Sequence, residues 1–411
     1  MNIAIVTSEF ISESNFDGGL ANYTYKLAKW LISKGHKATV FLKSNESSTM
    51  LFDGIEVVKV KHKDFSSFFE HYSNRLKIDF LFPDKMKYNI EFRQSAYLIN
   101  RRIKKEHKKN KIDIIHYPNL GGYAYYRLKN IPSIVRLSGS VAIAQKMGGY
   151  GISDLKIYMQ AKFEYRAMKR ADAVFGPSKM MATLTEQLIG KKIEIIETPY
   201  MVPEGELDNS IYEQYLRGKR YVLFFGSIGL IKGVGTIAEI IYPLLKQHQD
   251  LYYVFVGKKL NNSINGRSVW DYLLDKTGEF SNRLIYIPSQ KHSTLFPIIQ
   301  HAEFITLPSR IDNFPNTCIE SMANKKIVIG TKGNGFDQLI TDGENGFLVD
   351  VDDSQALLDK INYVLKLDSG IKKQIEQKAL ERADKLHPDI VLNQLMDLYL
   401  ETIDKHKNGK K

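Results

Sequence analysis

The order of strands and helices constrains this chain most, because one alternating pattern runs through its first half and starts again near residue 220. Short apolar strands are predicted at Asn2–Thr7 and 37–42, and residues 20–34 between them carry apolar side chains at helical spacing. The pattern returns with strands at Arg220–Phe225 and 252–256. Strands that alternate with helices favour parallel sheets covered on both faces. We therefore predict an α/β protein with two Rossmann-like, doubly wound domains that face a central cleft.

A linker is predicted at residues 198–220, which combine Pro199, Pro203 and Gly205 with charges of both signs. The 411 residues suit two domains of about 200 residues each. We place the first domain at residues 1–200 and the second at residues 201–385. Residues 386–411 are predicted to form an amphipathic helix that crosses back to the N-terminal domain, followed by a polar tail.

The charge of the chain is uneven. Residues 1–200 hold 32 Lys and Arg against 19 Asp and Glu, whereas the rest holds 26 against 27. A basic domain attracts nucleic acid, anionic lipid or phosphorylated substrates, and a solubilising surface would have the same composition. The sequence shows no secretory signal and no uncharged apolar run of about 20 residues. Its one cysteine, Cys318, cannot form an internal disulfide. We therefore predict a cytoplasmic protein.

The most informative segment is residues 307–330, LPSRIDNFPNTCIESMANKKIVIG. A strand is predicted to end at Leu307, and a helix to begin near Pro315, a residue that suits a first helical turn. The unpaired N–H groups at such a helix start favour a diphosphate. Glu320 inside the helix can bind ribose hydroxyls, and Asp312 in the loop can bind sugar hydroxyls. A helix cap and a solvent-facing acid would explain the same two carboxylates without a ligand.

Two further loops follow predicted strands of the second domain. Gly226 permits close approach of a ligand to the backbone, and Lys232 can neutralise phosphate charge. In the segment TKGNGF, Gly333 and Gly335 leave room for a sugar. Ordinary surface turns would account for each loop alone. Because ligands of parallel sheets bind at the carboxyl ends of strands, the three loops together predict one shared site.

These motifs are similar to those of a known protein family. The second half resembles the retaining glycosyltransferases of family 4, which have the GT-B fold. Asp312-x7-Glu320 stands where that family has Glu-x7-Glu, and the run PSRIDNFPNTCIESMA is followed downstream by TDGENGFLV. The resemblance extends through most of the chain and is sharpest over residues 220–350. It implies transfer of a sugar from a nucleotide-sugar donor to a glycan or lipid-linked glycan acceptor, in the usual setting of bacterial surface polysaccharide synthesis. It leaves UDP and GDP, the sugar and the acceptor open.

The resemblance also assigns roles by position. It implies that Glu320 holds the ribose, that Asp312 contacts the donor sugar as a catalytic residue, and that Lys232 holds the diphosphate. Further donor-binding positions are expected at Gly226, Phe314, Pro315, Asn316 and Gly333. In the first domain, on the acceptor side, the loop Asp17-Gly18-Gly19 resembles the family's Gly-Gly loop, which approaches the diphosphate and the acceptor. Gly18 and Gly19 are therefore also predicted to bind the donor.

Three positions depart from the family pattern. Ser227 stands where the family usually has Arg, and either Arg136, a nearby Lys or Arg310 would have to supply the missing charge. Asp312 replaces Glu and has a shorter reach. Many family members have a His after the strand predicted at 131–137, where this chain has Arg136-Leu137-Ser138. Arg136 and Ser138 are therefore the predicted catalytic residues of the first domain.

The resemblance implies retention of anomeric configuration without a divalent metal or another cofactor. The helix start and Lys232 can stabilise the charge of the leaving diphosphate, as a metal does elsewhere. No carboxylate is expected to act as a covalent nucleophile. The sequence Asp350-Val351-Asp352-Asp353 looks like a metal-binding DxD motif, but we predict a turn and the cap of the following helix. His116 and His292 are predicted to be structural, because the histidines lack metal-ligand spacing.

The basic segment 100–111, NRRIKKEHKKNK, is predicted to contact anionic membrane or a lipid-diphosphate acceptor peripherally at the inner face of the membrane. A solvated helix face is the alternative interpretation.

Three other functions stay open at this point. A GT-B nucleotide-sugar 2-epimerase would use the same donor site without an acceptor. A non-catalytic sugar-binding subunit is favoured by Ser227. A nucleic-acid-binding module would use the basic first half of the chain. The sequence shows no helix-turn-helix, RNA-recognition or zinc signature, so we expect no nucleic-acid partner.

Overall fold

A computed structural model describes residues 1–13, 19–62, 84–140, 155–202, 205–261, 263–264 and 266–409. The chain forms two compact units. Unit 1 comprises Met1–Pro199 together with Pro388–Lys411, and unit 2 comprises Tyr200–His387. The last segment of the chain therefore belongs to the unit that the first segment builds. In the described residues, no helix combines the length and apolar character needed to cross a bilayer.

Unit 1 is built on one sheet, whose strands are β1 (Asn2–Thr7), β2 (Lys37–Ser44), β3 (Ser48–Phe52), β4 (Ile55–Lys61), β5 (Ile114–Pro118), β6 (Ser133–Arg136), β7 (Ala173–Gly176) and β8 (Glu194–Ile195). Over the described residues the strand order is β3-β4-β2-β1-β5-β6-β7-β8. All neighbours are parallel except β3 and β4. The first helices are α1 (Gly19–Ser33), α2 (Asp84–Lys109), α3 (Leu155–Arg170) and α4 (Lys179–Ile189).

Unit 2 repeats this architecture with strands β9 (Arg220–Phe225), β10 (Leu251–Val256), β11 (Ser263–Ile264), β12 (Arg267–Ser268), β13 (Leu284–Ile287), β14 (Ile305–Thr306), β15 (Val328–Thr331) and β16 (Phe347–Val349). Its main sheet is parallel, with the order β13-β10-β9-β14-β15-β16 in the described residues, and β11 and β12 form a separate antiparallel pair. The helices are α5 (Ser210–Tyr215), α6 (Val234–Gln247), α7 (Val269–Thr277), α8 (His292–His301), α9 (Asn316–Ala323), α10 (Ser354–Lys366) and α11 (Ser369–Asp384). The chain ends in α12 (Pro388–Asn408), which belongs to unit 1.

Burial on both faces explains the apolar composition of the central strands. Ile3 to Val6 in β1 and Tyr221 to Phe224 in β9 are each at most 1% exposed. Parallel strands covered by helices on both faces have such continuous apolar runs, whereas half-exposed strands alternate. Because both sheets are parallel at their centres, the loops that follow the strands collect at one edge of each sheet.

Several elements were not predicted, among them β3, the pair β11 and β12, and α5, which lies within the predicted linker. Asp53 and Gly54 connect β3 to β4 with φ angles of 47° and 77°, the left-handed turn that an Asp-Gly pair favours in a hairpin. The aromatic-rich sequence of residues 62–92 predicts an insertion with helical stretches. Residues 63–83 lie outside the described residues, and from Asp84 onward the chain is helical through Lys109, so the predicted basic helix is the second part of α2.

Candidate functional site

Helix α9 begins at the carboxyl edge of the sheet of unit 2, after β14. Pro315 is its N-cap residue, with φ of −70° and ψ of 110°, so it precedes the first turn instead of opening it. Among the described residues, no side chain caps this helix start. Phe314 and Pro315 are buried, whereas Asn316 is exposed. The start of α9 therefore offers backbone N–H groups and a positive dipole end to an anion.

Lys232 and Asp312 meet beside this helix start. Lys232 ends a short 3-10 helix, Leu230–Lys232, after β9. Its Nζ lies 2.5 Å from Oδ2 of Asp312, whose side chain is 15% exposed. The next residue, Gly233, has a φ of 74°, and a methyl group there would lie 1.7 Å from the carbonyl oxygen of Pro308. Only glycine lets the two loops approach this closely, so the sequence at Gly233 helps to bring Lys232 to Asp312.

The loop after β15 supports Asp312 from another side. The Gly335 N–H donates to the Asp312 carbonyl at 2.9 Å, and a methyl group at Gly335 would lie 2.3 Å from the Asn313 carbonyl oxygen. Gly333, the glycine predicted to bind the donor, is exposed, and its N–H donates to Oδ2 of Asp337 at 2.7 Å. The structure therefore brings Gly335 to the loop of Asp312 and leaves Gly333 at the surface.

Glu320, inside α9, contacts His292, a histidine that was predicted to have a structural role. Nε2 of His292 lies 3.2 Å from Oε1 of Glu320, whose side chain is 17% exposed. Burial, reinforced by the charge of Glu320, raises the pKa of Tyr200 well above its usual value. His292 opens α8 shortly after β13 ends. The rule that ligand groups follow strand ends could have placed His292 at this site from the sequence.

The remaining predicted positions of unit 2 lie around α9. Gly226 follows β9 with a φ of 125°, and a methyl group there would lie 3.6 Å from Cγ2 of Thr317 in the first turn of α9. Arg310, one candidate for the charge missing at Ser227, donates from Nε to Oδ1 of Asp352 at 2.8 Å. The guanidinium of Arg310 is therefore engaged in an ion pair with Asp352.

The Asp350-Val351-Asp352-Asp353 segment contains a turn and a helix cap, as predicted. A carboxylate oxygen of Asp353 accepts the Ala356 N–H at 2.9 Å and caps α10. Within the described ranges, no group of three or more His, Cys, Asp or Glu side chains is arranged to hold a metal ion.

In unit 1, Arg136 and Ser138 lie at the carboxyl edge of the sheet. Arg136 ends β6 and donates to Oγ of Ser138 at 2.7 Å and to Oγ1 of Thr198 at 3.0 Å. Its guanidinium carbon lies 3.8 Å from the centre of the Tyr23 ring. Burial lowers the pKa of Arg136, which is 6% exposed. The structure thus joins the two predicted catalytic residues through a hydrogen bond and holds Arg136 in place.

Asn119 and Glu164 support the loop of Ser138, and neither residue was predicted from the sequence. Asn119 accepts the Ser138 N–H at 2.8 Å and donates to the Gly139 carbonyl at 2.7 Å. Glu164 is 2% exposed and accepts the Gly121 N–H at 3.0 Å. Burial raises the pKa of the Glu164 carboxyl to about 7. No sequence motif marks these residues, because their effect depends on contacts across 19 to 45 positions of the chain.

The other positions predicted in unit 1 are the loop Asp17-Gly18-Gly19 and His116. Asp17 and Gly18 lie outside the described residues, and Gly19 is the exposed first residue of α1. His116 is buried and its Nδ1 lies 2.7 Å from the hydroxyl of Tyr399 in α12. Burial, together with the charge of Arg136, lowers the pKa of His116 to about 3. His116 is therefore neutral near pH 7 and has the structural role that was predicted.

Solved structures share this fold. Sucrose-phosphate synthase from Thermosynechococcus elongatus has a TM-score of 0.73 at 16% identity, over 97% of this chain and 98% of that one. Anabaena HepE, solved in complex with UDP and glucose, has a TM-score of 0.67 at 18% identity, over 98% of this chain and 99% of that one. The fold is that of the GT-B class, with two Rossmann-like domains.

Two family models match the sequence. The model described as "Glycosyltransferase Family 4" matches residues 17–200, and the model described as "Glycosyl transferases group 1" matches residues 212–382. Together they extend over most of both units. The chain therefore belongs to glycosyltransferase family 4, as the motifs indicated.

Curated proteins are also similar to this chain in sequence. The 2-deoxystreptamine N-acetyl-D-glucosaminyltransferase of Niallia circulans is 24% identical over 184 residues, which are 45% of this chain and 46% of that protein. An uncharacterized glycosyltransferase of Methanocaldococcus jannaschii is 26% identical over 283 residues, 66% of this chain and 71% of that protein. The first of these matches spans less than half of the relative's length.

Proposed function

We propose that this protein is a retaining glycosyltransferase that moves a sugar from a UDP- or GDP-linked donor, bound by unit 2, to a glycan or lipid-linked glycan acceptor in surface polysaccharide synthesis. The observation that carries the proposal is the pairing of Lys232 with Asp312 beside the uncapped start of α9, with Glu320 one turn into that helix. A helix start and an ammonium group favour a diphosphate, whereas carboxylates accept hydrogen bonds from neutral hydroxyls. This division of charge matches a nucleotide sugar, whose diphosphate lies between the hydroxyl groups of the ribose and those of the donor sugar.

Each side chain has a task in this proposal. Glu320 accepts hydrogen bonds from the ribose hydroxyls, next to His292. Lys232 shares its ammonium group between Asp312 and the diphosphate, and Asp312 orients the sugar. Charge that develops on the leaving diphosphate is stabilised by groups already fixed in place, which is how preorganised dipoles lower a barrier. In unit 1, Arg136 and Ser138 act on the acceptor side, held by Asn119.

Substitution of Glu320 tests the donor site. Glu320→Gln removes the charge that strengthens hydrogen bonds to ribose, so we expect donor affinity to fall about 10- to 100-fold. The measurement is a thermal-shift screen of the full chain against UDP- and GDP-sugars, followed by titration calorimetry with the donor that binds. Glu381→Gln, an exposed change on α11, is the control and should leave affinity unchanged. Equal donor affinity of Glu320→Gln and the wild type would contradict the assignment.

Product analysis separates transfer from the alternatives. With the donor that binds and an added acceptor, we expect a glycosylated product that retains the anomeric configuration of the donor. A changed sugar without any acceptor would indicate an epimerase instead. Donor binding without any chemistry in the purified chain would favour a sugar-binding subunit.

We also propose that transfer needs no divalent metal, because Lys232 and the start of α9 supply positive charge where the leaving diphosphate forms. The expected result is an unchanged transfer rate after treatment with EDTA. A loss of activity that Mn²⁺ restores would reject this part of the proposal.

A specific observation favours contact of unit 1 with anionic membrane. Helix α2 exposes four cationic side chains at the spacing of one helical face: Arg101, Lys104, Lys105 and Lys108. None of the four forms an ion pair with another described residue, whereas Arg102 and Lys109 both pair with Glu106. Ile99 and Ile103 anchor the opposite face of the helix in the core. The four cations, which we call the α2 stripe, suit an anionic lipid surface.

Vesicle flotation tests the α2 stripe. Each cation near an anionic surface contributes about 1 kcal/mol, so replacing all four with Gln should abolish most binding to vesicles rich in phosphatidylserine. The control replaces four exposed lysines of unit 2 with Gln: Lys366, Lys373, Lys378 and Lys385. Equal loss in both variants would show a general charge effect and would reject the α2 stripe as a docking surface.

A further inference from the structure

A cavity of about 650 Å³ opens at the amino edge of the sheet of unit 1, the edge opposite Arg136 and Ser138. Asp172 precedes β7, and Lys191 and Lys192 precede β8. The last turns of α12 form another wall, through Lys405 and His406. Because Arg136 and Ser138 lie at the carboxyl edge, this cavity is separate from the predicted catalytic residues of unit 1.

The floor of the cavity carries more positive than negative charge. Oδ2 of Asp172 accepts the Ser133 N–H at 2.8 Å and an N–H of Arg127 at 3.1 Å. Lys191 donates from Nζ to the Ala171 carbonyl, a neutral partner. Burial, with Arg127 acting in the same direction, lowers the pKa of Lys191 although Asp172 opposes the shift. One carboxylate therefore lies close to two partly buried cations, Arg127 and Lys191.

The rim of the cavity also carries more positive than negative side chains. Lys192 pairs with Glu194 at 2.7 Å, and Lys405 pairs with Glu401. Lys129 adds a further exposed cation to the lining. Floor and rim together hold five Lys and Arg side chains against three carboxylates. The surplus of two positive charges matches a phosphate group, which carries about −1.5 to −2 charges at pH 7.

His406 provides a second, independent observation. Its side chain is 9% exposed, and Nδ1 lies 3.5 Å from Oδ1 of Asp172. The other ring nitrogen, Nε2, is buried and has no hydrogen-bond partner in the described part of the chain. Buried polar atoms in proteins are nearly always paired with protein, water or ligand. The residues that line the cavity thus carry surplus positive charge and one buried ring nitrogen without a described partner.

We propose that the cavity binds the phosphate group of a small soluble ligand, held between Lys191 and Lys192 on one side and Lys405 of α12 on the other. The ligand bridges the segment before β8 and the last turns of α12, so its binding stabilises the attachment of α12 to unit 1. This site does not depend on the proposed sugar transfer, because its lining includes none of the residues proposed to act on the donor or the acceptor.

Thermal denaturation of the full chain tests the proposal. Inorganic phosphate and pyrophosphate are titrated at constant ionic strength against chloride, and a saturable rise of Tm of roughly 3 °C is expected for the wild type. Lys191→Met should abolish the rise while keeping the apolar stem of the side chain. Lys192→Met, whose side chain is 78% exposed in the wild type, should weaken the response without affecting folding. Lys61→Met is the matched control and should respond like the wild type, because it removes an exposed charge of β4, which lies on the other side of the strand order from β7 and β8 and does not line the cavity.

A further variant separates this cavity from the proposed donor site. The response to phosphate should persist in Lys232→Met, and hydrogen exchange of residues 398–409 should slow when phosphate is present. A response that Lys232→Met abolishes and Lys191→Met retains would assign the anion to unit 2 and overturn the proposal. No saturable response in the wild type would also overturn it. Lys191-dependent flotation with phosphatidic acid vesicles, without any response to soluble phosphate, would assign a lipid headgroup instead and reject a soluble ligand.

Discussion

Lys232 and Asp312 depend on each other at the scale of single residues. Their side chains are 34% and 15% exposed, and 2.5 Å separates the two charged atoms. A partly buried ion that loses its partner keeps the cost of desolvation without the compensating attraction. Removal of the lysine therefore has two effects: it withdraws a cation from the diphosphate, and it leaves an uncompensated carboxylate beside that diphosphate.

A double-mutant cycle should reveal this dependence. We expect Lys232→Met alone to weaken donor binding more than Lys232→Met combined with Asp312→Asn, because the second change removes the repelling carboxylate. The expected coupling energy is about 1 to 3 kcal/mol, measured by titration calorimetry with the donor. Additive effects of the two changes would show that the pair does not act on the donor as a unit.

Glu164 should make the stability of unit 1 depend on pH. Its folded-state pKa is raised from 4.5 to about 7, so the unfolded chain releases this proton first as the pH rises. The free energy of unfolding therefore falls between pH 4.5 and about 7 and is not lowered further above that range. Glu164→Gln, which stays neutral, should gain about 3 kcal/mol relative to the wild type between pH 4.5 and pH 8. Urea denaturation at both pH values measures this gain, and Glu186→Gln on α4 serves as a control. Parallel pH profiles of Glu164→Gln and the wild type would contradict the raised pKa.

At the scale of elements, three loops that follow parallel strands build the site of unit 2. Glycines determine how closely these loops approach one another. The sequence predicted the loops after β9, β14 and β15, because strand ends and glycines can be located from periodicity and composition. It did not distinguish Gly333 from Gly335, since a glycine shows where the backbone needs room but not which atom occupies that room. The pairing of Lys232 with Asp312 was missed for a related reason: contacts across 80 residues depend on how separate loops meet.

Gly335→Ala should disturb the loop that carries Asp312. The new methyl group would lie 2.3 Å from the Asn313 carbonyl oxygen and 2.8 Å from the Asp312 carbonyl oxygen, so this backbone must move. We expect donor affinity to fall by roughly tenfold or more, about 1.4 kcal/mol, in titration calorimetry. Gly343→Ala is the control, because a methyl group there meets no atom within 4 Å although its φ of 79° strains the backbone. It should lower stability by about 1 to 2 kcal/mol and leave affinity unchanged. An affinity loss in the control alone would reject the role of Gly335.

At the scale of the whole molecule, the sequence indicated the family and the fold, because strand–helix alternation and the Asp312-x7-Glu320 motif are local patterns. The cavity at the amino edge of unit 1 lay beyond such reasoning. Its lining comes from residues 127–129, 172–174, 191–194 and 398–409, which no periodicity connects. Asn119 and Glu164 were missed in the same way, since buried polar networks follow from packing instead of sequence spacing.

The position of α12 has a consequence for synthesis on the ribosome. Unit 2 is one continuous stretch, Tyr200–His387, and can fold as soon as it has left the exit tunnel. Unit 1 must wait, because α12 supplies the Tyr399 hydroxyl to His116 and the Asp389 carboxylate to Trp30. Most of unit 1 is thus translated before unit 2 but completed after it, and a premature stop codon before residue 388 would leave unit 1 without α12 while unit 2 is complete.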